Sequence, residues 1–285
     1  MSDTRRFPRM VFAAACALGV AAAPPALPAA PPPTYADLAG LADAASLVVH
    51  AKVKNAIVVP PERATSVAAG HARLYVEAQT VALIGGNVPV GESLKYLVDV
   101  PLDAKGKPPK LKKQEVLLFA RPVPGRPTEL QLVGTDAQLP WNAALEARLR
   151  PILGELAARD AAPVITGVRD ALSVPGTLAG ESETQVFLAT RSGDPVSLTV
   201  VRRPGMAPTW GVSYGEIVDQ SARPPAAETL AWYRLACFLP PQLPASANLA
   251  QDGASRTRAA ADYRLVIQQL GPCPRTLGTQ TLAQR

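Results

Sequence analysis

The chain has 285 residues, with 29 Lys and Arg against 23 Asp and Glu, a formal charge of +6 and a mean hydropathy of +0.09. With 48% hydrophobic and 18% charged residues it has enough apolar content to build a core, and its mild basicity is not that of a dedicated nucleic-acid binder. After the first 30 residues no apolar run approaches the roughly 18 to 20 residues that a membrane-crossing helix needs.

Arg5, Arg6 and Arg9 precede an uncharged apolar run over residues 10–23, and small residues follow at 21–23 and 29–30. This is the layout of a secretory signal peptide, so residues 1–30 are assigned to one, with cleavage expected after Ala23 or Ala30. Arg5-Arg6 resembles a twin-arginine signal, but Pro8 stands where a large apolar residue is needed, which favours general secretion. Cys16 lacks the leucine three positions earlier that a lipoprotein anchor requires, and reads as an apolar residue of the leader. The mature chain is expected to be periplasmic or secreted.

Residues 35–45 predict a short helix. Five strand-like runs follow, at 47–59, 72–84, 92–100, 115–123 and 129–133. In the first, Val49, Ala51 and Val53 alternate with His50, Lys52 and Lys54; in the second, Leu74, Val76 and Ala78 alternate with Arg73, Tyr75 and Glu77; in the third, Leu94, Tyr96, Val98 and Val100 alternate with Lys95 and Asp99. Period-two alternation buries one face and wets the other, and five such runs with Gly- and Pro-rich connections predict a small closed, OB-like barrel over 31–138. All eight lysines precede residue 114. That asymmetry favours a boundary near Gln138-Leu139-Pro140, although coding bias would produce the same pattern.

Residues 142–160 carry Leu145, Leu149, Ile152 and Leu156 at helical spacing, with Pro151 expected to kink or break the helix. Strands are predicted at 164–174, 184–190, 196–203 and 209–218, and helices at 226–239 and 254–270. The fold class is therefore mostly β with an α+β second half over 139–285, an antiparallel sheet packed with two or three helices. Cys237 and Cys273 are the cysteines left after leader removal, and in an exported chain they are expected to pair. A closed loop of about 35 residues would stabilise by about 3–4 kcal/mol. The chain between the two helices has to fold back to let the pair meet.

Catalytic motifs are weak. Gly211-Val212-Ser213-Tyr214-Gly215 matches G-x-S-x-G, but no helix start follows it and no histidine occurs after His71. His50 and His71 are too few for a catalytic zinc, which wants three protein ligands, and both read as solvated. No phosphate loop or dinucleotide fingerprint occurs, so neither metal nor cofactor is implied. Glu181 and Glu183 could serve as an acid–base pair, the basis of an alternative reading as a carboxylate-dependent envelope hydrolase or glycan-acting enzyme. The densest charged feature is residues 103–114, where Lys105, Lys107, Lys110, Lys112 and Lys113 form a candidate loop for an anionic envelope component or an acidic protein face. It contains no aromatic residue, which argues against nucleic acid.

Leu47-Val48-Val49, Leu83-Ile84-Gly85, Gly91-Glu92 and Val116-Leu117-Leu118-Phe119 resemble, over about a third of the chain, bacterial exported OB-like domains related to tissue inhibitors of metalloproteinases. Those inhibitors chelate the protease metal through an N-terminal cysteine. This half holds no cysteine, so that activity does not carry over, and an inhibitor acting through an exposed loop is the weaker possibility left. The mature chain also resembles uncharacterised exported proteins of alphaproteobacteria. That resemblance rests on Thr34-Tyr35-Ala36-Asp37-Leu38, Glu183-Thr184-Gln185, Arg202-Arg203-Pro204-Gly205, Trp232-Tyr233-Arg234-Leu235-Ala236-Cys237 and Leu270-Gly271-Pro272-Cys273. It implies no activity. The leading expectation is a non-catalytic binding or adaptor protein of the envelope.

Overall fold

The computed structural model describes residues 31–215 and 222–278; the leader assigned to residues 1–30 lies outside them. Strands β1 (Leu47–Val58), β2 (His71–Gly86), β3 (Ser93–Pro101), β4 (Glu115–Val123) and β5 (Arg126–Leu132) follow the order β1-β2-β3-β5-β4, and β4 returns to pair with β1. The barrel is thus closed, as the strand spacing predicts. All its neighbours are antiparallel except β3 and β5, which run parallel and pair only at Lys95–Glu129 and Tyr96–Leu130. Val49, Ala51, Val53, Leu74, Val76, Leu94, Val98 and Leu118 fill the interior.

The second half forms an antiparallel sheet in the order β10-β9-β8-β7, made by β7 (Ile165–Pro175), β8 (Ser182–Thr190), β9 (Val196–Arg202) and β10 (Thr209–Tyr214). Among the described residues four α-helices accompany the sheets: α1 (Tyr35–Ala44), α2 (Ala143–Ala157), α3 (Leu230–Ala236) and α4 (Gly253–Leu270). The described residues from Pro32 to Gly278 belong to one compact unit.

Several local features depart from the strand and helix pattern. Gln138–Pro140 forms a sixth short strand, β6, which pairs with Val116–Leu118 of β4. Helix α3 starts at Leu230 rather than at 226, because the Thr229 hydroxyl accepts the Trp232 N–H and sets the N-terminus there. Helix α2 runs through Pro151 unbroken: the proline lies on the exposed side, while Leu145, Leu149 and Ile152 anchor both sides of it in the core.

Strand β4 is buried on both faces. Val116, Leu118 and Ala120 point into the barrel; Leu117 and Phe119 point out, into a second core shared with α1, α2, α3, α4 and the β7–β10 sheet. Period-two reading assigns β4 one wet face, but the helices cover it. Helix α1 is covered more completely still, since every residue from Ala36 to Ala42 is buried. Its small Ala and Gly residues make that burial possible. A Cβ on Gly40 would lie 2.9 Å from the Arg275 guanidinium and 3.2 Å from the Tyr233 hydroxyl.

The N-terminus of α1 is tied to the C-terminal strap. Asp37 Oδ2 accepts the N–H of Thr34 (3.0 Å), the N–H and hydroxyl of Thr276 (both 2.9 Å) and the N–H of Leu277 (3.3 Å). The Thr34 hydroxyl accepts the Asp37 N–H, completing a capping box, and donates to Pro274 O. Three residues before the strap's Thr276, Cys273 joins Cys237 in a disulfide with Cα atoms 5.2 Å apart. The chain after α3 does fold back, with the Tyr263 hydroxyl donating to Pro240 O and Trp232 Nε1 to Leu270 O. At the other end of α1, Asp43 accepts two 2.7 Å bonds from the buried Arg234 guanidinium.

Two outcomes follow from this strap. Replacing Cys237 and Cys273 with alanine should lower the unfolding free energy by about 2–5 kcal/mol in denaturant titrations of the oxidised protein. Burial pushes the Asp37 carboxyl up, but hydrogen bonds from Thr276 and Thr34 outweigh it and hold the group below its ordinary 3.8. Its stabilising contribution is therefore complete above the unfolded value of about 3.9 and is lost as pH falls through the lower folded value. Asp37→Asn should cost about 1.5–3 kcal/mol at neutral pH and flatten the acid limb of the stability profile. Equal acid sensitivity of wild type and variant in urea titrations would contradict this role.

Candidate functional site

The barrel closes least tightly between β3 and β5, and a groove of about 900 Å³ opens there. That volume lies within the roughly 300–1,000 Å³ range of small-ligand sites. Its apolar strip comes from three strands in register: Ile57 is paired with Tyr75, and Tyr75 with Leu97. Ile57 is 54% exposed and Leu97 49%, and only β2 separates these two aliphatic residues. Arg63, Arg73, Lys95 and Arg126 supply the cations of the lining, and Asp99 and Glu129 the anions. Arg73 binds Asp99 in a two-pronged pair of 2.7 and 2.8 Å, which raises the guanidinium pKa further, and Arg126 reaches Glu129 at 3.0 Å. Among the described lining residues there is no histidine, cysteine or serine. Sequence alternation already places Arg73, Tyr75, Lys95 and Asp99 on outward faces; the register that makes them neighbours comes only from strand pairing.

None of the five lysines of the β3–β4 loop lines this groove. The loop is organised at both ends. Asp103 accepts the N–H groups of Lys105 and Lys107, and Leu111 is buried in the barrel core. Lys113 N–H donates to Val53 O with positive φ at Lys113. Lys105, Lys107 and Lys110 to Lys113 therefore ride on a folded connection.

His50 departs from its solvated expectation. It is 6% exposed, stacks on Trp141 with ring centroids 4.3 Å apart, and meets Glu115 Oε2 at 3.1 Å. Trp141, at the start of the second half, covers it and donates its indole N–H to Glu146 (2.7 Å), itself paired with Arg150. His71 is exposed.

Ser213 lies within a regular strand, 5% exposed, not on an elbow. Gly211 is small for a packing reason, because a Cβ there would lie 2.2 Å from the Ala222 backbone. Glu181 is bound into its own hairpin, accepting the N–H groups of Thr177 (3.1 Å) and Leu178 (3.2 Å), while Glu183 accepts from the neighbouring Gln185 side chain (2.8 Å). A second cavity of about 670 Å³ is lined by Glu181, Ser182, Arg202 and Arg258 but not by Glu183. Beneath it, fully buried Asp262 accepts Arg202 (2.6 Å) and Thr184 (2.5 Å). No group of three or more His, Cys, Asp or Glu among the described residues is placed to hold a metal ion, and none of their helices is long and apolar enough to cross a membrane.

No protein-family model matches the chain, and no curated protein matches it.

The His50 cover is testable by substitution. Trp141→Ala should cost about 3 kcal/mol through lost packing, whereas Trp141→Phe, which keeps a stacked ring and loses the Glu146 bond, should cost about 1 kcal/mol. Chemical denaturation gives the ranking.

Proposed function

We propose that this is an exported, non-catalytic binding or adaptor protein of the periplasm or cell envelope that takes an anionic partner in the β3–β5 groove. The observation that carries this reading is the groove itself: an exposed apolar strip beside four cations and two carboxylates. Each carboxylate is held by an arginine, and the described lining residues include no histidine, cysteine or serine. Export rests on the charged, apolar and small-residue order of residues 1–30. The lysine loop adds positive field on a separate element, suited to raising the encounter rate with the same class of partner.

The alternative, a carboxylate-dependent hydrolase, has less support. Glu181 is committed to its hairpin and Glu183 does not share its cavity.

Equilibrium binding of the mature protein to anionic vesicles, an acidic polysaccharide and acidic peptides tests the proposal. At least one probe should bind, about tenfold or more weaker when Arg63 and Arg126 are both changed to glutamate. Changing the five loop lysines to glutamine should mainly slow association and reduce its salt dependence. Absence of binding to all three probes, or turnover of envelope esters or glycans that survives the groove variant, would overturn it.

A further inference from the structure

The backbone of β3 carries the groove further than its side chains do. Thr80 N–H donates to Glu92 O and Val59 N–H to Arg73 O, both at 2.8 Å. Even-numbered residues of β2 therefore turn their backbone groups toward β3, and odd-numbered ones toward β1. In the unbroken β2–β3 register Leu74 faces Val98 and Val76 faces Tyr96. Val98 and Tyr96 thus bond back to β2, while Leu97 and Asp99 turn toward β5. The β3–β5 ladder ends at Tyr96–Leu130. Beyond it β5 follows β4, with Val133 N–H donating to Phe119 O at 3.1 Å. Strand β3 continues to Pro101, so the Leu97 carbonyl and both backbone groups of Asp99 face the groove past the last ladder pair.

We propose that this edge of β3 takes an extended, acidic segment of a partner polypeptide as an added strand. The inference rests on the groove being the binding site. Strand addition supplies main-chain hydrogen bonds, and the period of two divides the guest's side chains into two sets. One set turns inward, on the face of Val98 and Leu130; the other turns outward, on the face that carries Leu97, Asp99, Arg73 and Lys95, with Arg126 in the same lining. Those surroundings ask for alternating apolar and acidic residues. Charge selects against a basic guest, because four cations in the groove exceed its two carboxylates.

The test uses the mature protein and a capped eight-residue peptide alternating valine and glutamate, its affinity read by calorimetry. Two further peptides carry N-methyl groups on the odd or on the even residues. Strand addition requires one methylated phase to bind at least about tenfold weaker, since an N-methyl removes a main-chain donor. The Asp99 amide should exchange more slowly when peptide is bound. Asp99→Pro, which removes that amide, should lose binding in a variant whose circular dichroism matches wild type. Peptide binding indifferent to both methylation phases overturns strand addition and leaves the groove as a side-chain site. Binding of vesicles or polysaccharide without peptide overturns it likewise. If no probe binds, the groove reading falls as well.

Discussion

The structure depends on the burial of α1, a ten-residue helix of mostly Ala, Gly and Leu enclosed by the outer face of β4, by α2 and α3, and by the C-terminal strap. Such enclosure suits small side chains and leaves little room for polar error. Asp37 at one end is satisfied by the strap's donors, and Asp43 at the other by Arg234. The disulfide fixes the strap where it leaves the helical region, so a covalent constraint and a hydrogen-bonded one act on the same element. Removing Asp43 would leave the buried Arg234 guanidinium without its ion-pair partner, the costly direction of change.

Two hydrophobic cores meet across β1 and β4. The barrel interior draws on Val49 and Leu118, while their neighbours Val48, Leu117 and Phe119 pack outward against the helices. This double use stiffens one side of the barrel. The opposite side, where β3 and β5 hold only two ladder pairs, has no comparable backing, and the groove lies there. The supported wall positions the strands, and the short β3–β5 pairing leaves apolar surface exposed at the seam.

The charged residues divide between structural and surface roles. Asp262, Arg202 and Thr184 knit α4 to the second sheet in the interior, and Arg234 joins α3 to α1. Of the groove cations Arg73 and Lys95 are half-buried and Arg63 and Arg126 exposed, and the loop lysines lie on a separate connection, where their field extends about 8–10 Å at physiological salt before screening.

Much of the fold was legible along the chain. Alternation marked the barrel strands, from Val49-Ala51-Val53 to Leu94-Tyr96-Val98, and the Leu145-Leu149-Ile152 stripe marked α2. The mostly-β class with an α+β second half follows from those local periods, because strand and helix geometry repeat within a few residues. The pairing of Cys237 with Cys273 could be expected from their being the two cysteines left after the assigned leader. The candidate groove was not legible, although Arg73, Tyr75, Lys95 and Asp99 had been placed on outward faces. What joins them is long-range register, and what opens the seam is the departure of β5 from β3. The burial of His50 was hidden for a related reason: its cover, Trp141, lies 91 positions away in the chain. Local sequence determines which face of each element is apolar. Only the tertiary structure decides what comes to lie against that face, because contact between distant segments is set by the packing of the whole chain.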